Sequence, residues 1–318
     1  MGVLSSKCRS TARLDGKTVV ITGCNTGIGK ECVKEFYLRG AKVIMACRNL
    51  EKATSAQTEV EDECKNAPNV GSIQVVKLDL TSLRSVRECA KKISDNEEKI
   101  DILLNNAGVM MCPKDTTEDN FEMQIGTNHF GHFLFTLLLL PRIIASNSQP
   151  ARIVNVSSMA HWRIFGGKMN FDDLNWKTRR YNSINAYAQS KLANVLFTKE
   201  LARRLQEAGI NHVHTYSLHP GVIKTELGRN LDQTFFKGVT FLFLTFTTFM
   251  CKSPQQGAQT SIYCSLSEDC AKETGLYYQE CSKTNPSYRA RNKEDAKRLW
   301  EESLLLTGLG PDYNFLNP

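Results

Sequence analysis

Tyr187 stands four residues before Lys191 in the stretch "NAYAQSKLANVLF", whose residues otherwise suit a helix. On a 3.6-residue helix, positions i and i+4 lie one above the other, so a phenol and an ammonium can converge on one point. A free tyrosine titrates at about pH 10, too weak an acid to exchange protons readily at neutral pH. A lysine cation held close stabilises the phenolate and lowers that pKa. The pair is therefore a candidate general acid/base. An amphipathic helix with one half-buried tyrosine and one solvated lysine has the same spacing. The pair gains meaning only if the chain also supplies a substrate site, a cofactor and a third catalytic group.

The elements that would position those groups alternate along the chain. "KTVVIT", "AKVIMAC", "IQVVKLDL", "IDILLNNAG", "ARIVNVSS" and "HVHTYSL" are short apolar runs of strand type. Between them lie helical stretches such as "SLRSVRECAKKI", "HFGHFLFTLLLLPRII" and "AYAQSKLANVLFTKELARRLQEAG". Continuous apolar strands alternating with helices predict a parallel sheet covered on both faces, a doubly wound α/β architecture. Such sheets bind ligands at the carboxyl edge of their strands, where every chemically suggestive residue of this chain falls.

The first of these is a glycine turn. "TGCNTGIG" places Gly23, Gly27 and Gly29 between the first strand and the first helix, a pattern that lets backbone approach a pyrophosphate at a helix N-terminus. A purely structural strand-to-helix turn could use the same glycines. The second strand, "VIMACRN", ends without the acid that usually accepts the ribose hydroxyls of NAD, and Arg48 follows instead. A guanidinium there favours the 2′-phosphate of NADP. Asp79 in "KLDL" is placed to cap the next turn or to accept a hydrogen bond from an adenine amino group.

Composition bounds the alternatives. The 318 residues are 41% hydrophobic and 23% charged, ordinary globular usage with no repeat or linker to divide them. The net charge of +7 is spread over mixed-sign helices, which argues against a nucleic-acid footprint while favouring phosphate-bearing ligands or anionic membrane surfaces. Eleven cysteines are scattered singly, with no C-x-x-C, so reduced thiols on a cytosol-facing protein are expected. His129, His132 and His219 lack ligand spacing, and no metal is expected.

In chain order, T-G-x-x-x-G-x-G, N-N-A-G, Asn128, the Ser157-Ser158 pair, Y-x-x-x-K and Pro220-Gly221 resemble the short-chain dehydrogenase/reductase family, from about Gly16 to about Tyr278. "GCNTGIGKE", which has Cys24 where the similar pattern "GANTGIGKE" has alanine, looks like the retinol-dehydrogenase branch, as do "ACRN", "NNAGVMMCP", "SKLANVLFTKELARRL" and "ARNKEDAKRLWEES". The resemblance implies a doubly wound Rossmann fold with a mostly parallel seven-stranded sheet. It also implies NADP(H) as cofactor and a tetrad of Asn128, Ser158, Tyr187 and Lys191. Tyr187 would exchange the proton of the substrate oxygen, Ser158 would hydrogen-bond that oxygen, and Lys191 would lower the Tyr187 pKa and bind the nicotinamide ribose. Asn128 would hold a water against Lys191, while Ser157 is assigned to strand-end packing. The implied cofactor contacts further include Asn25, Thr26 and Ile28 in the glycine turn, Leu80 beside Asp79, and Asn106, Ala107 and Gly108. Pro220, Gly221, Val222 and Thr225, after the sixth strand, complete them, with Val222 and Thr225 binding the carboxamide.

Residues 1–15 then read as an arm, 16–285 as one catalytic domain with a substrate lid at about 228–254, and 286–318 as a C-terminal extension with a helix. The interval from Ser158 to Tyr187 is long, and its insert offers Trp162, Phe165 and Trp176 as substrate contacts or loop anchors. Phe235, Phe236, Phe241, Phe243, Phe246 and Phe249 suggest an apolar lid, a surface dipping into a bilayer, or a dimer contact. The uncharged run there is too short for a transmembrane helix of about 20 residues. "MGVLSS" fits an N-myristoylation pattern at Gly2 and Ser6, with Cys8 as a second acylation site and Lys7, Arg9 and Arg13 as a basic supplement. The expected activity is NADP(H)-dependent interconversion of a lipophilic alcohol and its aldehyde or ketone, retinol/retinal being the leading pair. The expected place is peripheral, on the cytosolic face of the endoplasmic reticulum or a lipid droplet. A broad carbonyl reductase for lipid-derived or foreign carbonyls is the alternative, and an idle NADP-binding scaffold a third.

Overall fold

A computed structural model of the chain describes residues 6–162, 169–223, 234 and 252–314. Eight strands form one sheet: β1 (Thr18–Thr22), β2 (Lys42–Cys47), β3 (Ser72–Lys77), β4 (Ile102–Asn105), β5 (Ala151–Val156), β6 (Val213–His219), β7 (Leu276–Gln279) and β8 (Ser282–Thr284). Their order is β3-β2-β1-β4-β5-β6-β7-β8, parallel throughout except for the antiparallel β7–β8 pair. All six strand segments expected from the sequence form strands. The order reverses between β1 and β4, so a crevice opens above that pair at the strands' carboxyl ends.

The sheet has eight strands rather than the expected seven. Glu280 and Cys281, both near φ 52°, close a two-residue turn from β7 into β8. Left-handed backbone at both loop positions is the hairpin turn that fits strand twist, usually announced by Asn-Gly or Asp-Gly. Here Glu-Cys supplies no such signal, and all three residues of β8 are exposed, so no apolar alternation marks the strand.

Among the described residues, seven principal helices cover the sheet: α1 (Gly27–Leu38), α2 (Leu50–Glu63), α3 (Leu83–Asn96), α4 (Gly131–Ile144), α5 (Ser183–Glu207), α6 (Pro254–Leu266) and α7 (Lys293–Leu306). Val33 and Phe36 of α1, Val60 of α2 and Ile262 of α6 close one face over Val19, Ile21 and Tyr216. Ile93 of α3, Phe133 and Leu137 of α4, Phe197 of α5 and Trp300 of α7 close the other over Val20, Leu103 and Ile153. This double burial is why the central strands β1, β2 and β4 read as nearly unbroken apolar runs. The C-terminal helix is part of that core: Trp300 stacks on Phe197 at 6.1 Å, and the Arg204 guanidinium lies 4.6 Å from the Trp300 ring centroid.

The described part of the N-terminal arm is seated on the protein. Cys8 and Leu14 are buried, the Cys8 N–H donates to Gln259 Oε1 at 3.0 Å, and Arg39 donates to the carbonyls of Ser10 and Ala12. Acylation at Cys8 would require the arm to leave that seat. In the long insert, Trp176 is buried under the Arg179 guanidinium, 3.5 Å from its ring centroid, and meets Tyr181 edge-on. Trp176 therefore anchors the loop, whereas Trp162 is exposed. Gly2, Phe165, Thr225 and the six lid phenylalanines lie outside the described residues.

Candidate active site

The glycine turn leaves β1 and enters α1. Gly23 has φ 60°, and a Cβ there would fall 2.6 Å from Ala107 Cβ, so only glycine lets this turn touch the loop after β4. The side chain of Asn106 ties the two together, donating to the carbonyls of Thr22 at 3.0 Å and Gly23 at 3.1 Å. Thr26 is the N-cap residue of α1 and makes no side-chain cap, while Asn25 and Ile28 beside it are partly exposed. The first-turn amides of α1 are thus left for an anion. The residues present therefore fit a pyrophosphate-bearing dinucleotide.

At the end of β2, Arg48 is exposed and its carbonyl accepts a hydrogen bond from Lys77 Nζ at 2.5 Å. Neither cation pairs with a carboxylate among the described residues, which leaves a positive corner suited to a second phosphate. Asp79 caps the next turn, as one of its two sequence readings has it: its Oδ1 accepts from Thr81 N at 3.0 Å and Thr81 Oγ1 at 2.8 Å. Leu80 is buried, and Gly131 has no room for a Cβ because the Leu80 carbonyl would lie 2.7 Å away.

The four residues of the expected tetrad come from the turn before α4, the end of β5 and α5. Asn128 lies in a π-helical turn, Gly126–Phe130, immediately before α4. Such turns recur at functional sites. Its side chain brackets Val109, accepting from the N–H at 2.8 Å and donating to the carbonyl at 2.9 Å, and also donates to Ser190 Oγ at 2.9 Å. A Cβ on Gly108 would lie 3.2 Å from Asn128 Oδ1 and 3.5 Å from Lys191 Nζ, so this loop passes between the two. Ser158 Oγ accepts from Ala160 N at 3.1 Å and bonds to the Tyr187 phenol. Ser157 takes the packing role instead, its Oγ donating to the Lys191 carbonyl at 2.7 Å.

Electrostatics qualify the expectation that Lys191 lowers the Tyr187 pKa. Burial pushes the phenol up to about 12, with the Ser158 hydrogen bond pulling the other way. Burial also draws the Lys191 ammonium down to about 8. Its Nζ donates to the Val156 carbonyl at 3.1 Å and lies 5.8 Å from the Tyr187 ring centroid. Desolvation thus outweighs the Ser158 hydrogen bond at the phenol. At neutral pH the site holds a protonated tyrosine beside a predominantly cationic lysine, the state needed to give a proton to a carbonyl oxygen.

Two connections escaped the sequence. Thr22 Oγ1 accepts the N–H groups of Asn106 and Ala107, both at 3.0 Å, and meets His132 Nε2 at 2.9 Å. The other ring nitrogen of His132 bonds to the Asn128 carbonyl at 3.0 Å. With Thr22 Oγ1 already accepting twice, its hydrogen goes to Nε2, so His132 is neutral and carries its proton on Nδ1. Burial accordingly lowers its pKa to about 4. Thr22 sits inside the glycine motif, but nothing in the spacing pointed to His132. The second connection is Lys252, which is buried and ion-paired with Glu280. Its aliphatic stem would meet a Cβ on Gly221, φ 100°, at 2.9 Å, and its N–H donates to the Val222 carbonyl at 2.8 Å. The Pro220-Gly221-Val222 segment is held from that side, with Val222 37% exposed at the crevice. Among the described residues no helix is long and apolar enough to cross a membrane, and no cluster of ligating side chains could hold a metal ion.

A family model described as short chain dehydrogenase matches residues 17–169. Human Retinol dehydrogenase 13 is 48% identical over 310 residues, covering 96% of this chain and 89% of that protein. Mouse Retinol dehydrogenase 12 is 46% identical over 302 residues, covering 95% and 90%. Among solved structures, an uncharacterized protein from Mycobacterium paratuberculosis superposes with a TM-score of 0.74 at 36% identity, covering 96% of this chain and 98% of that one. The Pseudomonas aeruginosa RhlG/NADP active-site complex shares the fold, with a TM-score of 0.64 at 22% identity over 83% of this chain and 94% of that one.

Proposed function

The chain belongs to the short-chain dehydrogenase family and is an oxidoreductase with retinol dehydrogenases among its relatives, and on that premise we propose that it interconverts a lipophilic alcohol and its aldehyde or ketone with NADP(H). Retinol/retinal is the leading pair, because the relatives at 41–48% identity are named for it. The observation that carries the reading is the cluster of half-buried Ser158 with buried Tyr187 and Lys191 facing Asn128, with its phenol protonated at neutral pH.

When bound, the nicotinamide supplies or takes up the hydride at the substrate carbon. Gly23, Asn25, Thr26, Gly27, Ile28 and Gly29 would hold the pyrophosphate at the α1 N-terminus, and Arg48 would hold the 2′-phosphate. Asp79 and Leu80 would flank the adenine. Asn106, Ala107, Gly108, Pro220, Gly221, Val222 and Thr225 would border the nicotinamide half. In reduction, Tyr187 gives its proton to the substrate oxygen while Ser158 donates a hydrogen bond to the charge growing there. Lys191 keeps a positive charge beside the phenolate that Tyr187 becomes, which limits the cost of ionising a buried phenol. Asn128 holds the loop carrying Gly108 in place against Lys191. In oxidation the same groups run in reverse, Tyr187 taking the alcohol proton. The test is incubation of purified protein with retinal and NADPH and chromatographic identification of retinol. Reduction of alkenals or ketosteroids in preference to retinal would move the assignment to the broader carbonyl reductase.

A further inference from the structure

The glycine turn carries a second thiol where the similar branch pattern has alanine. Cys24 and Cys47, at the carboxyl ends of neighbouring strands, are both buried, and their Sγ atoms are 3.7 Å apart. Cys24 Sγ also lies 3.3 Å from the Ile21 carbonyl oxygen, which competes with Cys47 for its single hydrogen. Cys47 is the more acidic of the two. The hydrogen bond from Cys24 holds its thiol below the ordinary value against the opposing effect of burial, and the N–H groups of Cys24, Asn25 and Gly23 add to the lowering. A sulfur held below the ordinary thiol value carries more thiolate, the reactive form.

We propose that Cys24 and Cys47 are a redox pair, closed to a reversible disulfide by hydrogen peroxide or a comparably small hydroperoxide, and that closure weakens dinucleotide binding. The binding consequence rests on the cofactor reading above. The Cys47 thiolate attacks one peroxide oxygen, an S–O bond forms, the O–O bond breaks, and the departing hydroxide takes a proton to become water. The Cys24 sulfur then attacks the sulfenic sulfur, the S–S bond forms, the S–O bond breaks, and the leaving hydroxide takes the Cys24 proton. Two electrons pass from the thiols to the peroxide, giving one disulfide and two waters.

A disulfide needs sulfurs about 2 Å apart, so closure brings the two sulfurs together by roughly 1.7 Å and pulls on the turn and the β2 end that carry them. The turn has little slack for this. Cys24 Cα lies 2.6 Å from where a Cβ on Gly29 would stand, so Cys24 cannot shift without disturbing the first turn of α1. Arg48 directly follows Cys47 on the other side of the bond. The pyrophosphate cradle and the 2′-phosphate corner are therefore displaced together. Loss of one hydrogen bond to a charged phosphate weakens binding about ten- to a hundred-fold, and that is the expected rise in the NADPH dissociation constant. By linkage, saturating NADPH should disfavour the closed disulfide at equilibrium.

The test treats the full chain with hydrogen peroxide, maps its peptides by mass spectrometry, and measures NADPH affinity before oxidation, after it, and after dithiothreitol. The expected result is a Cys24–Cys47 linked peptide, weakened NADPH binding and full recovery on reduction. Cys24→Ala and Cys47→Ser should form no linked peptide, and Cys24→Ala should bind NADPH alike before and after peroxide. Absence of the linked peptide in oxidised wild type overturns the proposal. A linked peptide with unchanged NADPH affinity overturns its binding consequence. If reduced wild type binds no NADPH, the cofactor reading fails and the binding consequence with it, while the linked peptide would still establish the redox pair.

Discussion

Replacing Lys191 by methionine should make the protein more stable at neutral pH while destroying its activity. Lys191 is 3% exposed, no carboxylate pairs with it among the described residues, and its single hydrogen bond there goes to the Val156 carbonyl. Burial lowers its pKa from 10.5 to about 8. One unit corresponds to about 1.4 kcal/mol, so keeping the ammonium charged in the folded state at pH 7 costs about 3 kcal/mol. The sign follows from proton counting: between about pH 8 and 10.5 the unfolded chain binds more protons at this site than the folded one, so wild-type stability rises with pH through that window. Methionine has similar length and no charge, and losing the Val156 bond returns about 1 kcal/mol, leaving a net gain of about 2 kcal/mol. For 318 residues that is roughly 3 °C in Tm. Urea titrations of wild type and Lys191→Met at pH 7 and pH 10, without added dinucleotide, test this. The gap should be near 2 kcal/mol at pH 7 and close or reverse at pH 10. A variant less stable than wild type at pH 7, or a gap independent of pH, would refute the reasoning.

Tyr187→Phe should lower turnover by about 10²–10⁴-fold with NADPH affinity nearly intact, read from steady-state kinetics and fluorescence titration; activity within a few-fold of wild type excludes the proton-transfer role. Arg48→Ala should weaken NADPH about ten- to a hundred-fold and NADH little, and equal losses for both would make Arg48 merely structural. The kcat for carbonyl reduction should fall as pH rises through about 8, where Lys191 loses its proton, since Tyr187 stays protonated until about 12; a profile flat to pH 10 would contradict it. Trp300→Ala should cost about 3–5 kcal/mol in urea unfolding, because the C-terminal helix closes one face of the core. A loss under 1 kcal/mol would mean the helix is peripheral.

Strand and helix placement was legible because the sheet is covered on both faces. The central strands β1, β2 and β4 had to be apolar runs, and each ended at a polar or glycine-rich turn that named itself. The grouping of Asn128, Ser158, Tyr187 and Lys191 followed from the family resemblance and its chain order: Ser158 follows β5, Tyr187 and Lys191 lie on α5, and Asn128 lies in the turn before α4. The eighth strand was not legible, since a three-residue exposed strand after a Glu-Cys turn has neither apolar alternation nor a glycine signal. Nor was the protonation balance. Lys191 lies near Tyr187 as the i,i+4 spacing required, yet burial decides the sign of the shift at the phenol, and burial depends on how α5 packs against β5 and the loop after β4. His132 stayed hidden because its role comes from two contacts far apart in the chain, Thr22 and Asn128. The proximity of Cys24 and Cys47 arises in the same way, from parallel register between β1 and β2.

The central claim is that Tyr187 gives a proton while hydride passes from NADPH to a lipophilic carbonyl. The most direct measurement compares kcat/KM for retinal in detergent-solubilised assays with NADPH and with NADH, for wild type and for Tyr187→Phe side by side. The account predicts turnover by wild type, at least about ten-fold more efficient with NADPH than with NADH, and its loss in Tyr187→Phe. Turnover preferring NADH, or surviving in Tyr187→Phe, would contradict it.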